Sequence, residues 1–469
     1  MSAERLWRIC RVWMSRSRFE KALLILFVLT LPFIHARVRG DGIGYYAYLR
    51  SPLIDHNLCF ATDWKDPSQE LLSVYLNGHI YPNPITKTGH LPNFYTVGPA
   101  ILWSPFVVAA HLSVLGADRL GFRIAPDGHS WPYIDALSGA TVLYGFLGLY
   151  FSFQLTKNYV EEKWAFWATL GIWFASSLPV YMYLDPSWSH ALSAFCVSWF
   201  LWYWHRTRVD RTRKQWLALG LLSGLMANVF PGNCFFILAP VLEYIPAYRE
   251  AWRAFPHKPQ HLRRNLQSLC VFAAGAFVAF LPTLIAHQIV FGSPLSVGIY
   301  GDVPWNWKSP AFRAVLFSAS HGLFVYTPIL LLAVIGLLAL WRTAPKLGIA
   351  CVIIAGGFYS LISLYPWWGG AFSFGNRFFV SLTPLFVLGL AAAFSRVARF
   401  WGSSKMAARR IVPITMLFIL WNLGLIYQWS TDLMPNRGQV YWSEVLYNQF
   451  RVVPQQILSD LSAKVQPHL

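Results

Sequence analysis

The chain has 469 residues, of which 56% are hydrophobic and only 12% are charged, with a net charge of +18 and a mean hydropathy of +0.42. Soluble domains carry about a quarter charged residues, so this composition excludes an ordinary soluble protein. Most basic residues form short clusters between apolar blocks, which is typical of cytoplasmic loops, and no nucleic-acid-binding motif accompanies them. We therefore predict an all-α polytopic membrane protein whose basic loops face anionic lipids.

The first apolar block, "KALLILFVLTLPFIHA", predicts a membrane helix at about 20–37. A cleaved signal peptide is the alternative, since a basic stretch precedes the block and Ala36 follows it. Arg37 and Arg39 directly after Ala36 favour a retained anchor. Both interpretations place the segment 38–93 outside the cytoplasm.

The basic clusters predict the sides of the later loops. With residues 1–21 and the loops at 205–215, 248–266, 341–347 and 397–410 in the cytoplasm, the chain crosses the membrane eleven times. The crossings after the first are predicted near 134–155, 164–183, 188–204, 216–231, 233–247, 267–290, 322–341, 348–366, 377–398 and 410–429. We predict one transmembrane unit at 1–429 with the loop 38–93 inserted in it, and a short external tail at 430–469.

One apolar block, "FYTVGPAILWSPFVVAAHLSVLG" at 94–116, does not fit eleven crossings. A single additional crossing would invert every later loop and place "HRTRVDRTRK" outside. The block is therefore re-entrant, broken around Pro105, or paired with a further crossing, which gives 11 to 13 spans.

Ionisable and polar side chains concentrate in four external stretches: "GDGIGYYAYLRS", "YLDPSWSHALSAF", "FGSPLSVGIYGD" with "SASHGLFVYTP", and "YPWWGGAFSFGNRFFVSLTP". An unpaired charge is costly at these depths, so such residues are candidates for function. Each also has a structural interpretation. Asp41 and Asp185 could cap helices, His190 and His321 could make ordinary hydrogen bonds at the membrane interface, and Arg377 could extend to the lipid head groups.

The residue types favour chemistry on a membrane-borne substrate. No P-loop, zinc-binding spacing or GxSxG elbow is present in the sequence. A polyprenyl-phosphate sugar would place its phosphate at the interface and its sugar outside. Displacement at the anomeric carbon needs one carboxylate as base, and the leaving phosphate needs positive charge. Candidates for the phosphate are Arg377, Lys87, His190 and His321. Candidates for sugar or acceptor contacts are Tyr45, Tyr46, Trp368 and Arg50.

The order of these elements resembles the GT-C superfamily of integral membrane glycosyltransferases, especially the branch related to protein O-mannosyltransferases and the lipid A aminoarabinose transferase. "GDGIGYYAYLRS", "YTVGPAILWSPF", "DPSWSHALSAF", "FGSPLSVGIYGD", "SHGLFVYTP" and "WWGGAFSFGNRFFVSLTP" carry the resemblance along most of the chain. It implies a GT-C-like fold with short interfacial helices in the first external loop.

The resemblance also implies roles for individual residues. The family's early acidic residue, its catalytic base, corresponds to Asp41, and a second, assisting acid corresponds to Asp185. Basic residues that hold the lipid-linked phosphate correspond to Arg377 and Lys87. Many relatives have adjacent acids where Gly42 follows Asp41 here, which leaves dependence on a divalent cation, Mg²⁺ or Mn²⁺, open.

We therefore expect an inverting glycosyltransferase in the plasma (inner) membrane, with its site on the extracytoplasmic, periplasmic side and a glycan, lipid or protein as acceptor. Two alternatives are open. An oligosaccharide polymerase or ligase would use a lipid-diphosphate glycan, and such proteins usually carry their large polar loop late in the chain. A transporter or flippase for lipid-linked sugars would need charged residues through its helix centres, and the charges here lie mainly at helix ends.

Overall fold

The computed structural model describes residues 15–63, 85–253, 259–296, 304–435 and 438–465. These residues form helices and connecting turns, without a β-strand among them. The all-α polytopic membrane class predicted from the sequence is confirmed.

In the first half of the chain, the described residues form eight α-helices. They are α1 Arg18–Thr30, α2 Asp41–Arg50, α3 Gly98–Arg119, α4 Trp131–Thr156, α5 Glu162–Phe174, α6 His190–Arg206, α7 Arg213–Val229 and α8 Leu238–Arg253. The second half forms α9 Pro259–Phe291, α10 Phe312–Phe317, α11 Leu323–Tyr326, α12 Ile329–Thr343, α13 Pro345–Leu364, α14 Thr383–Phe400, α15 Ser404–Ser430, α16 Trp442–Tyr447 and α17 Val453–Val465. Short 3₁₀ or π turns lie between them, at Leu31–Phe33, Ser51–Asp55, Val180–Leu184, Pro231–Ile237, Arg377–Leu382 and Asn448–Val452.

Six helical stretches of the described chain are long and apolar enough to cross a bilayer. They are Gly98–Arg119, Trp131–Thr156, Pro259–Phe291, Pro345–Leu364, Arg377–Phe400 and Ser404–Ser430. Each of the eleven predicted crossings overlaps a helix, but α1, α5, α6, α7, α8 and α12 are shorter, at 13 to 17 residues. The number of crossings therefore remains a prediction.

Glycines allow two helix pairs to approach backbone to backbone. A Cβ on Gly220 of α7 would lie 2.1 Å from the Phe272 carbonyl oxygen of α9, and one on Gly224 would lie 2.2 Å from the Ala276 oxygen. A Cβ on Gly336 of α12 would lie 1.8 Å from the Gly389 oxygen of α14. Such close contacts increase dispersion attraction, which is the main source of helix association where lipid surrounds the bundle.

Ion pairs and hydrogen bonds identify the two ends of the bundle. Glu20 of α1 pairs with Lys157 after α4 at 2.8 Å, and Ser17 donates to Glu162 at the start of α5. Arg208 after α6 donates to Tyr159 in the same region, and we call this the basic end. The chain beyond α1 lies at the opposite end, which we call the site end.

Most of the apolar block at 94–116 lies in helix α3. This helix continues through Pro105 without a break, which excludes one of the three alternatives for this block. It runs antiparallel to the first half of α4, where Trp103 donates to Thr141 and His111 bonds Tyr133. The chain before α3 contacts α2 through Asn93 and Tyr95, and the chain after α3 contacts it through Asp127 and Gly128. Whether the block spans the membrane or is re-entrant remains a prediction.

The C-terminal helices pack on the bundle. Trp442 of α16 donates through Nε1 to the Ala319 carbonyl, and Gln449 donates to the Trp421 carbonyl of α15. Gln428 of α15 in turn donates to the Val445 carbonyl. The described part of the tail is thus fastened to α15, while the division into a core at 1–429 and a tail remains a prediction.

Candidate functional site

Asp41 is the first residue of α2. The turn before it requires Gly40, whose φ of +54° lies in the left-handed region that favours glycine. The Trp188 ring covers this glycine so closely that a Cβ would lie 2.9 Å from its Cζ2. A Cβ on Gly42 would lie 2.1 Å from Ser187 Oγ. The segment 185–188 therefore sets where α2 begins and where Asp41 lies.

The Asp41 carboxylate contacts side chains from two distant parts of the chain. Its Oδ2 lies 2.6 Å from Arg377 Nη1, and its Oδ1 accepts a hydrogen bond of 2.9 Å from the Tyr95 hydroxyl. The side chains of Asp41 and Arg377 are 17% and 12% exposed, so the pair is neither sealed in the core nor fully hydrated. A carboxylate and a guanidinium thus meet at a partly open position of the site end.

Aromatic rings hold the Arg377 guanidinium. Its Cζ lies 4.5 Å from the Trp188 ring centroid and 5.4 Å from that of Phe378, within the range of cation–π attraction. Gly370, at φ +72°, gives the Arg377 side chain room, since a Cβ there would lie 2.8 Å from Arg377 Nε. The aromatic face and the glycine turn direct the guanidinium toward Asp41.

Asp185 binds two other arginines. It is 1% exposed and follows the π turn Val180–Leu184. Arg39 donates from Nε to Oδ1 at 2.6 Å and from Nη2 to Oδ2 at 2.8 Å, while Arg37 Nη2 lies 2.8 Å from Oδ1. Asp185 and Asp41 are therefore held at the same end by different arginines.

Tyr45 and His190 lie beside this pair of clusters. Tyr45 is buried, its ring centroid is 4.6 Å from that of Tyr95, and its oxygen accepts from Ser189 Oγ at 3.1 Å. Burial, reinforced by the Asp41 charge, raises the pKa of Tyr45, so its hydroxyl stays protonated as a donor. His190 opens α6 and is buried with its ring edge-on to Tyr181 at 4.7 Å.

His321 lies on a neighbouring cleft of about 180 Å³. Rings and small polar side chains line this cleft, among them Tyr326, Phe372, Trp429, Ser320 and Ser373. His321 Nδ1 bonds the Gly375 carbonyl at 3.1 Å. Burial lowers the pKa of His321, and Arg377 lowers it further, so the imidazole is neutral at pH 7.

Tyr46 and Arg50 lie in the body and at the far end of α2, where they fasten the loop between α3 and α4. The Tyr46 hydroxyl donates to the Gly128 carbonyl at 2.7 Å, and Arg50 Nε donates to the Asp127 carbonyl at 3.0 Å. Arg50 Nη1 lies 2.7 Å from Asp55 and 3.3 Å from Asp63. Burial raises the pKa of Asp63 to about 6 against the opposing effect of Arg50, with Asp55 adding to the rise.

Lys87 and Trp368 are not brought into contact with Asp41. Lys87 is exposed in the turn 86–89, which Thr88 Oγ1 anchors by donating to the Val290 carbonyl of α9. Trp368 is half-buried, and its carbonyl accepts from Asn376 Nδ2 at 3.1 Å. Trp368 thus shapes the turn before Arg377 through its backbone.

Four residues around Asp41 were not selected as site residues from the sequence: Arg37, Arg39, Tyr95 and Trp188. A signal for the two arginines was present, because they directly follow the first apolar block in a segment predicted to be external. Arginine there opposes the positive-inside pattern and therefore implies an acidic partner. Tyr95 and Trp188 lie among many aromatic residues, and nothing in their spacing distinguishes them.

Within the described ranges, no group of three or more His, Cys, Asp or Glu side chains could hold a metal ion. Dependence on a divalent cation therefore remains a question for experiment. Neither protein-family models nor curated proteins match this chain.

Proposed function

We propose that the chain is an integral membrane glycosyltransferase of GT-C type that moves a sugar from a polyprenyl-phosphate donor to an acceptor hydroxyl or amine, with inversion at the anomeric carbon. The observation that supports it most is the contact between Asp41 and Arg377 at the partly open site end. An in-line displacement needs the base and the phosphate-binding cation in one cavity, on opposite sides of the anomeric carbon. Asp41 and Arg377 share such a position, and the donor would separate the two side chains when its anomeric carbon enters between them.

The proposed step is a direct displacement. The acceptor oxygen (or nitrogen) forms a bond to the anomeric carbon as the bond from that carbon to the phosphate oxygen breaks. The acceptor proton passes to the Asp41 carboxylate, and the bonding electron pair leaves with the polyprenyl phosphate. An ionised carboxylate has about four lone-pair positions, so Asp41 can accept this proton while Tyr95 continues to donate to Oδ1.

Arg377 is the proposed phosphate ligand. A guanidinium has five N–H donors, so it can contact a phosphate oxygen while its plane remains on Trp188. Tyr45 and Tyr95 would then contact the sugar or the acceptor from the α2 side, and His321 would act as a neutral hydrogen-bonding group on the other side of Arg377.

The proposed orientation places the site end outside the cytoplasm. The basic loop 205–215 lies at the basic end, where Arg208 contacts Tyr159. Under the positive-inside rule this end faces the cytoplasm, and Asp41 then faces the extracytoplasmic side of the plasma (inner) membrane. A polyprenyl-phosphate sugar would reach it with its chain between helices. The acceptor is a glycan, lipid or protein on the same side.

Purified protein in proteoliposomes tests the proposal with a panel of radiolabelled polyprenyl-phosphate hexoses and pentoses. Loss of label from the donor, with recovery of labelled acceptor from an envelope extract, is the expected result. Asp41→Asn should abolish this transfer, and Asp118→Asn, an exposed acid of α3, is the matched control. Consumption only of diphosphate-linked oligosaccharides would indicate a polymerase or ligase. Donor translocation without consumption would indicate a flippase.

A further inference from the structure

The segment 185–188 holds both partners of the Asp41–Arg377 pair. It grips Arg39 at three points: Asp185 binds the guanidinium, Ser187 Oγ accepts from the Arg39 amide at 3.3 Å, and Trp188 Nε1 donates to the Arg39 carbonyl at 2.9 Å. Arg39 is two residues before Asp41, so this grip fixes the entry to α2. The Trp188 ring also carries the Arg377 guanidinium.

The bonding of Asp185 conflicts with a role as a second base. Its Oδ1 accepts from Arg39 Nε and from Arg37, and its Oδ2 accepts from Arg39 Nη2. The side chain is 1% exposed, so an acceptor hydroxyl would have to displace a charge-assisted hydrogen bond to reach it.

Each arginine also has a contact besides Asp185. Arg37 Nε donates to the Leu184 carbonyl at 2.6 Å in addition to its contact with Asp185. The Arg39 guanidinium lies over the Trp429 ring at 5.5 Å. Two hydrogen bonds join the Arg39 guanidinium to the Asp185 carboxylate, so they fix the orientation of the guanidinium as well as its distance. The Arg39 backbone is held with it.

We propose that Asp185 is a positioning residue, which through Arg39 sets the separation between the Asp41 carboxylate and the Arg377 guanidinium. The expected change in transfer rate rests on the proposed function. The expected change in the distance between Asp41 and Arg377 rests on the structure alone. Asp185 and Arg39 then act as one unit. Removal of either shifts the start of α2 relative to Trp188, and Asp41 loses its place beside Arg377.

The test compares wild type with Asp185→Asn, Arg39→Gln and the double variant. A misplacement of about 1 Å costs up to roughly 100-fold in rate, so each single variant should lose up to that much in kcat and keep the wild-type pH profile. The double variant should be no slower than the worse single one. A loss as complete as that of Asp41→Asn, or a changed pH profile, would show that Asp185 itself reacts, and an unchanged rate would show that it positions nothing.

A structure of the Asp185→Asn variant supplies a readout that needs no activity. We expect the distance from Arg377 Nη1 to Asp41 Oδ2, 2.6 Å in the wild type, to exceed 4 Å. An unchanged pair would overturn the proposal even if wild type transfers no sugar, so its failure differs from failure of the proposed function. If Asp185→Asn does not fold, Arg39→Gln breaks the same link from its other side and leaves Asp185 paired with Arg37. It should lengthen the same distance, and an unchanged distance would again refute the proposal.

Discussion

Replacement of Gly42 by alanine tests how tightly α2 must pack against the segment 185–188. A Cβ on Gly42 would lie 2.1 Å from Ser187 Oγ, 2.4 Å from Ser187 Cβ and 2.8 Å from the Ser187 carbonyl oxygen. A different Ser187 rotamer removes only the first contact. Relief of the others requires α2 to move by about 1 Å, and such overpacking costs about 1–3 kcal/mol of stability. The same movement would displace Asp41 from Arg377 and slow transfer by up to about 100-fold.

Thermal unfolding of the purified protein in detergent measures the first effect, and transfer in proteoliposomes measures the second. Gly139→Ala is the matched control, because Gly139 lies within α4 and a Cβ there meets nothing within 4 Å. Alanine at this position should stabilise the helix by about 0.5–1 kcal/mol. Ser187→Gly should partly restore the stability of Gly42→Ala. If Gly42→Ala unfolds at or above the wild-type temperature, α2 does not pack on Ser187 as described.

Three further predictions concern neighbouring groups. Arg377→Lys keeps the charge but loses the planar donor set and much of the Trp188 stacking, so transfer should fall by about 10- to 100-fold; a wild-type rate would contradict a directed phosphate contact. The raised pKa of Asp63, about 6 against 3.8 unfolded, means that the folded state binds more protons, so unfolding free energy should fall by about 2 kcal/mol between pH 4 and pH 6. Asp63→Asn should flatten that fall in thermal unfolding scans, and an equal slope would refute the assignment. The pKa of His321 is lowered, so the folded state binds fewer protons than the unfolded state and its stability falls as the pH drops below 6.5. His321→Gln should reduce this loss of stability in the same scans.

The helices were predictable because the bilayer imposes a length and an apolar composition on them. The predicted span 134–155 matches Trp131–Thr156, since long apolar blocks have few other stable conformations in lipid. The predicted span 164–183 is less regular. There α5 ends at Phe174, Ser176 Oγ donates to the Ile172 carbonyl, and a π turn follows at Val180–Leu184. Local hydrogen bonds of this kind are not visible in hydropathy.

The sequence predicted which residues belong to the site better than it predicted which of them contact one another. Asp41, Asp185 and Arg377 were selected because a charge at a membrane edge needs a partner or a purpose, and the structure places all three at one end of the bundle. Which arginine binds which carboxylate depends on how the segment 185–188 meets α2, and no spacing in the sequence encodes that contact. Arg50 illustrates the same limit, since its partners Asp55 and Asp63 fasten the far end of α2.

The most direct measurement of the central claim is the transfer rate of Asp41→Asn in proteoliposomes, with donor binding measured in parallel. Asparagine is close in shape to aspartate and keeps an oxygen for the Tyr95 hydroxyl, but it cannot take the acceptor proton. General base catalysis contributes about 10²- to 10⁴-fold, so transfer should fall at least that far while the polyprenyl-phosphate sugar still binds. Transfer within about twofold of the wild-type rate, or of the Asp118→Asn control, would contradict the assignment of Asp41 as the base.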